Sequence, residues 1–254
     1  MKRLVLLSFL LSGCEEVSKN CDPDAAPDPD AAPDAAPMET DSGPADSGGP
    51  TDSGPAPITI MPLGDSITSA PNGAYRFYLG PMLMTDGVAF DFAGRFEAGP
   101  LEMADRDHEG VSGRTIEGLI TDLALTFVGP DPDIILLHIG TNNLGIGGDP
   151  AQAASRLSVC LTQIYAFAPQ AHVIVAKIAP ATGGTFISNI LTYNSLIQGV
   201  VHAQESDGRA ISIADMHSAM QPATDYISSD GIHPNALGYE VMAEVWLMAL
   251  LAVL

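Results

Sequence analysis

Five short and mostly unbroken apolar runs recur from residue 58 onward: Ile58–Leu63, Val88–Ala93, Ile134–Ile139, Val173–Ile178 and Ile211–Ala214. A strand that is apolar at nearly every position has both faces to bury, which an antiparallel sheet with one wet face does not provide. Between the runs lie segments with helical spacing, at Ala74–Met84, Thr115–Phe127, Ala151–Phe167 and Phe186–Gln204, and a last one from about Ala236 to Leu254. Strands alternating with helices imply an α/β fold, a flavodoxin-like three-layer α/β/α sandwich around a parallel sheet of about five strands. Roughly 200 residues suffice for one domain of this kind, assigned to residues 58–254. The closing segment carries Glu240 and Glu244, and only Val245–Leu254 is purely apolar. That is too short to cross a bilayer and reads as a buried covering helix.

The chain ahead of residue 58 has another character. Met1-Lys2-Arg3 is a basic start, Leu4 to Leu11 is apolar apart from Ser8, and Leu11-Ser12-Gly13-Cys14 ends the run. This reads as a signal peptide over residues 1–14. Residues 15–57 repeat Asp-Pro, Ala-Ala-Pro and Asp-Ser-Gly units, with eleven acidic residues against one base, Lys19. Almost nothing there is apolar and larger than Ala, so no core can form. Proline and like charge favour an extended, disordered spacer. The formal net charge of the whole chain is −21, and the folded part is acidic in its own right. Nucleic acid and other polyanions are therefore excluded as partners. Cys160 falls in an apolar-periodic helix and reads as buried filler, although a bridge to Cys21 is open to an exported protein.

In open parallel sheets, sites form beyond the carboxyl ends of the strands. Ser66 follows the first apolar run, Asn142 the third, and the loop holding Asp230 and His233 comes after the fifth. All are expected at one edge. A serine hydroxyl is a poor nucleophile until a base takes its proton, and a histidine base needs a carboxylate to hold its tautomer. Ser66 on a turn after a strand, with Asp230 and His233 together in a polar loop, supplies those three groups and points to hydrolysis.

Four blocks in order carry a family likeness: Gly64-Asp65-Ser66-Ile67, then Gly113 within Glu109-Gly110-Val111-Ser112-Gly113-Arg114-Thr115-Ile116, then Gly140-Thr141-Asn142-Asn143, and Asp230-Gly231-Ile232-His233. They resemble the SGNH, or GDSL, hydrolases over essentially all of residues 58–254. The resemblance implies Ser66 as nucleophile, His233 as base and Asp230 as its orienter. It also implies an oxyanion hole from the N–H groups of Ser66 and Gly113 and the side-chain amide of Asn142. The chemistry suits the types: Gly113 has no Cβ to hold a ligand away, and the Asn142 amide donates without burying a charge. Each such donor is worth about 3 kcal/mol of barrier. One departure is Asn143, where the family usually has Asp; Asn can still accept one hydrogen bond. The wording at Asp107–Ile116 and at Asn72-Gly73-Ala74-Tyr75-Arg76 is similar to carbohydrate esterase family 3, which implies removal of acetyl groups from sugars. The Leu-Ser-Gly-Cys ending resembles a bacterial lipobox. It implies lipidation at Cys14, attachment to the cell envelope through that anchor alone, and an acylated carbohydrate as the partner.

Other polar residues have plainer readings. His138, inside a strand, is expected to be a satisfied core histidine, and His172 and His202 to be solvated. His108 lies near the glycine block and could meet substrate by proximity, and His217 follows a strand end. Arg76 and Arg114 are expected to brace loops by pairing with acids. Asp107 and Glu109 are expected in a solvated turn, and Gly145-Ile146-Gly147-Gly148 as a flexible rim. No metal-binding spacing and no cofactor motif is present, so none is expected. The loops Ser69–Gly73, Asp105–Arg114 and Asn142–Asp149 are rich in Gly, Asn, Asp and Arg, which favours small acyl groups. A lysophospholipase or thioesterase, or a glycan-binding lipoprotein without turnover, remains the alternative.

Overall fold

A computed structural model describes residues 56–254. The signal sequence with Cys14, Cys21 and nearly all of the acidic spacer lie outside the described residues.

The expected parallel sheet forms. Strand β1 (Ile58–Gly64) is central, joined in parallel by β5 (Ile134–His138), β6 (His172–Lys177) and β7 (Ile211–Asp215). On its other edge β1 is shared. Ile58–Ile60 pair with β2 (Phe90–Phe92), and Leu63–Gly64 pair with β4 (Asp107–Gly110). A short β3 (Phe96–Glu97) runs antiparallel to β4. The sheet therefore has seven strands, not about five, in the order β3-β4-β1-β5-β6-β7 with β2 beside β1. The extra pair escapes a search for apolar runs because Asp107-His108-Glu109-Gly110 is polar throughout. Its buried acid, Glu109, is held there by ion pairs with Arg95 and Arg114.

The period-2 alternation of the strands feeds two cores. Met61, Leu63, Ile135, Leu137, Val173 and Val175 face α3 (Ile116–Thr126), α4 (Pro150–Phe167) and α5 (Gly184–Ser206). Ile60, Leu136, Ile174 and Ala176 face the opposite layer, with α2 (Arg76–Thr85) and α8 (Ala236–Leu251). Trp246 is fully buried there and packs against Tyr75. The closing segment is thus a covering helix, and among the described residues no helix is long and apolar enough to cross a membrane. Cys160 is a buried thiol of α4.

Helix starts follow sequence. Thr115 accepts from the Gly118 N–H, Asp149 caps a helix whose first residue is Pro150, and Asn235 accepts from the Gly238 N–H. Each satisfies an orphan N–H at the carboxyl edge of the sheet. Four connections remain there: the turn into α1 (Ser66–Ser69), the 3₁₀ turn Thr141–Asn143 after β5, the segment 178–183 between β6 and α5, and the loop after α6 (Met216–Ala219) and α7 (Ala223–Tyr226).

Candidate functional site

Strand β1 ends in Gly64, and close packing requires that glycine. A Cβ there would lie 2.4 Å from the His138 carbonyl oxygen and 2.5 Å from Thr68 Oγ1. Next, Asp65 turns the chain. It is fully buried, and its Oδ1 accepts from the Ile67 N–H at 3.0 Å, capping α1. Burial pushes the Asp65 carboxyl up to about 6, against the hydrogen bond from Ile67. Ser66, half-buried, is thereby placed at the first position of a helical turn, where N–H groups have no partner within the helix.

The Ser66 hydroxyl lies 2.8 Å from His233 Nε2. His233 Nδ1 lies 2.7 Å from Asp230 Oδ2. A carboxylate only accepts, so Nδ1 carries the hydrogen and Nε2 accepts from the serine. Asp230 is held in turn: its Oδ1 accepts from the N–H groups of Ile232 (2.9 Å) and His233 (3.0 Å) and from the Ser228 hydroxyl (2.9 Å). Burial alone would raise its carboxyl. The bonds from Ile232, His233 and Ser228 outweigh burial and hold it well below the usual carboxylate range. Asp230 stays charged wherever the imidazole is neutral. A neutral imidazole so placed can take the proton of Ser66.

Gly113 sits on the turn between β4 and α3 at φ +74°, a left-handed conformation that glycine adopts without penalty. Asn142 Nδ2 donates to the Arg114 carbonyl at 3.0 Å and lies 3.4 Å from Asp65 Oδ2. Asn143 bridges the same two segments. Its Oδ1 accepts from the Ile116 N–H at 2.9 Å, and its amide donates to Glu117 Oε2 at 2.7 Å. The position where the family usually has Asp is therefore braced through both ends of its amide.

Two cavities flank the relay. One of about 550 Å³ is lined by Ser66, Ser69, Ala70, Asn72, Ser112 and His233 among others. The second, of about 600 Å³, lies along Asn142, Asp230 and Thr182, with Ile146, Phe186 and Ile232 as apolar wall. Its rim is firmer than the glycines suggest. The Asn189 amide donates to the carbonyls of Leu144 (2.9 Å) and Gly148 (3.3 Å), although Ile146 at the tip is fully exposed.

Several plainer expectations change. Asp107–Gly110 is not a solvated turn but β4, and Glu109 is 0% exposed, clasped by Arg95 and Arg114. Arg114 pairs with acids as expected, Glu109 and Asp122. Arg76 instead donates to the main-chain carbonyls of Arg106 and Ala98. His108 is buried under the glycine turn, its Nδ1 accepting from the Gly110 N–H, and lines neither cavity beside the relay. His138 is a core residue whose Nε2 accepts from the Ala179 N–H. His172 is half-buried and bonded to Ser212, whereas His202 is exposed. His217 lines a separate cavity with Pro180 and Leu191. Among the described residues no group of three or more His, Cys, Asp or Glu side chains is arranged to hold a metal ion. The sequence reading missed the support of the site: Asp65 as a cap, Ser228 behind Asp230, and the Arg95–Glu109–Arg114 cluster. The first two leave a trace, since Asp and Ser at turns bond nearby N–H groups.

The sequence compares with known proteins as follows. Over 219 residues it is 34% identical to a multidomain esterase of Ruminococcus flavefaciens; the match covers 75% of this chain and 28% of that protein. The fold superposes on the Clostridium thermocellum family 3 carbohydrate esterase with a TM-score of 0.70 and 30% identity, covering 77% of this chain and 96% of that one. A carbohydrate esterase family 3 structure from Talaromyces cellulolyticus gives 0.69 and 27%, covering 77% and 97%. Residues 63–241 match the GDSL-like Lipase/Acylhydrolase family, a family of carboxylic ester hydrolases, and with that match spanning most of the described domain the chain belongs to it.

Proposed function

We propose that this chain is a serine esterase that releases small acyl groups, acetyl above all, from carbohydrates. The observation that carries the reading is the unbroken relay from Ser66 Oγ through His233 to Asp230. Ser66 Oγ attacks the ester carbonyl carbon while His233 Nε2 takes its proton, and the carbonyl oxygen becomes an oxyanion. The N–H groups of Ser66 and Gly113 and the Asn142 amide donate to that oxygen. Collapse breaks the carbon–oxygen bond to the sugar. The alkoxide leaves with the proton from His233, and water then releases the acyl group from Ser66 by the same steps. Asp230 stays ionised and holds the imidazole throughout.

The acetyl preference is supported by the likeness to family 3 carbohydrate esterases and by the small side chains Ser69, Ala70 and Ser112 next to Ser66. One observation favours a second reading, a lysophospholipase or thioesterase acting on longer acyl chains. Ile146, Phe186 and Ile232 line the neighbouring cavity, and each buried methylene is worth about 0.8 kcal/mol. The experiment is a comparison of kcat/KM for p-nitrophenyl acetate, butyrate and octanoate, with acetate release from acetylated xylan. Acetate preference with release from xylan is expected. Octanoate preference without release moves the assignment to the second reading, and no hydrolysis at all moves it to a glycan-binding protein.

The same proposal places the protein at the bacterial cell envelope, lipid-anchored at Cys14, with residues 15–57 as the tether. Cys14→Ser should release it into the soluble fraction with kcat unchanged. Retention in the membrane fraction would refute the anchor.

A further inference from the structure

Two of the three oxyanion donors of the proposed reaction, the Gly113 N–H and the Asn142 side-chain amide, belong to exposed residues, and the third, Ser66, is half-buried. The next residue after Gly113 is the opposite. Arg114 is 5% exposed, and its guanidinium reaches back under the turn. Its Nη1 donates to the Glu109 carbonyl at 2.8 Å and its Nη2 to Glu109 Oε1 at 3.2 Å, with Asp122 Oδ2 at 3.4 Å. The Glu109 carboxylate is also gripped by Arg95, whose Nη2 lies 2.5 Å from Oε1 and whose Nε lies 3.0 Å from Oε2. The Thr126 hydroxyl adds a contact at 3.3 Å. Burial pushes the Glu109 carboxyl up, but the hydrogen bonds from Arg95 and Arg114 prevail and keep it below the usual range, so it is charged at neutral pH.

Replacing a buried ion cluster by apolar residues of like volume is often neutral or stabilising, so stability does not explain why one is kept here. What it does explain is direction. The Arg114 carbonyl accepts one N–H of the Asn142 amide at 3.0 Å. That fixes the plane of the amide and leaves the second N–H only a long contact to Asp65 Oδ2, 3.4 Å. Gly113 is covalently joined to the same anchored residue. We propose that Glu109, through Arg114, is the positioning residue for the oxyanion hole, setting both the Gly113 N–H and the Asn142 amide. The inference rests on the esterase reading and adds to it a buried charge that never touches substrate.

Misplaced donors lose transition-state binding while substrate binding is little changed. Glu109→Gln and Arg114→Lys should each lower kcat for p-nitrophenyl acetate by about 10- to 100-fold with KM within about 2-fold. Inhibition by a boronic acid that forms a tetrahedral anion on Ser66 should weaken by the same factor as kcat. Glu109→Asp should recover part of the loss. The control is Leu161→Ala, a truncation in the core beneath α4 that lowers the melting temperature without touching the turn. Its kcat should stay within about 2-fold of wild type. If Glu109→Gln does not fold, Arg114→Lys decides alone, through the split between kcat and KM and through boronic acid binding. Unchanged kcat in a folded variant, or an equal loss in Leu161→Ala, overturns the positioning role while leaving the esterase reading intact. A wild-type protein that hydrolyses no ester overturns both.

Discussion

Ser66→Ala removes the hydroxyl that His233 Nε2 holds at 2.8 Å and leaves everything else in place. Hydrolysis of p-nitrophenyl acetate should fall at least ~10³-fold. A half-buried serine contributes little packing, so stability should change by less than about 0.5 kcal/mol. Residual turnover above about 1% of wild type would remove Ser66 from the proposed mechanism. Asp230 is held ionised by the bonds from Ile232, His233 and Ser228 against the effect of burial. In the proposed mechanism that charge fixes the imidazole, so Asp230→Asn should lower kcat at least ~10²-fold with KM little changed. A kcat within about 2-fold of wild type would remove Asp230 from the relay. At this scale the sequence was informative where a residue works within a short motif. Ser66, Asp230 and His233 sit in two such blocks, and the structure draws them into one hydrogen-bonded line. Glu109 was illegible because its partner Arg95 arrives along the other side of a hairpin-like excursion. Two acids one residue apart, Asp107 and Glu109, look solvated until a cation is known to face one of them.

Among the elements, β1, β5, β6 and β7 announce themselves because strands covered on both faces have to be apolar at nearly every position. Strand β4 does not, since it is polar throughout, and β3 follows β4 into obscurity. The close pairing of β1 with β5 on its other edge explains why Gly64 admits no side chain. Gly64→Ala would set a Cβ 2.4 Å from a main-chain oxygen of β5, which cannot rotate away. A loss of about 3 kcal/mol or more is expected. Urea unfolding checks it, and a midpoint within error of wild type would show that the strands spread at little cost. Asn143→Ala tests a different joint. It removes the acceptor for the Ile116 N–H and the link to Glu117. A cost of about 1–2 kcal/mol is expected, with a fall in kcat that Asn143→Asp, which keeps the acceptor, should partly restore.

For the molecule as a whole, buried histidines set how stability changes with pH in the mildly acidic range. Burial pushes His108 and His138 from 6.5 down to about 4 and lowers His172 and His217 as well, so there the unfolded chain binds protons that the folded one refuses. Burial pushes Asp65 from 3.8 up to about 6 and raises Asp107, so those two carboxyls keep protons in the folded chain that the unfolded one has lost. The histidines outnumber the carboxyls, and stability should rise with pH from about 4.5 to 6. Melting temperatures across that interval test the sign, and a fall would refute it. His138→Leu should make the slope shallower.

The Ser66–His233 contact joins residues 167 positions apart. One end leaves the first strand and the other is held by the segment that leads into the last helix. Neither half of the polypeptide contains a working relay, so catalysis doubles as a clock for the completed fold. After dilution from denaturant, hydrolysis of a chromogenic ester should return with the slowest step of refolding, after the helical signal has recovered. Long loops have to close before such a distant pair can meet.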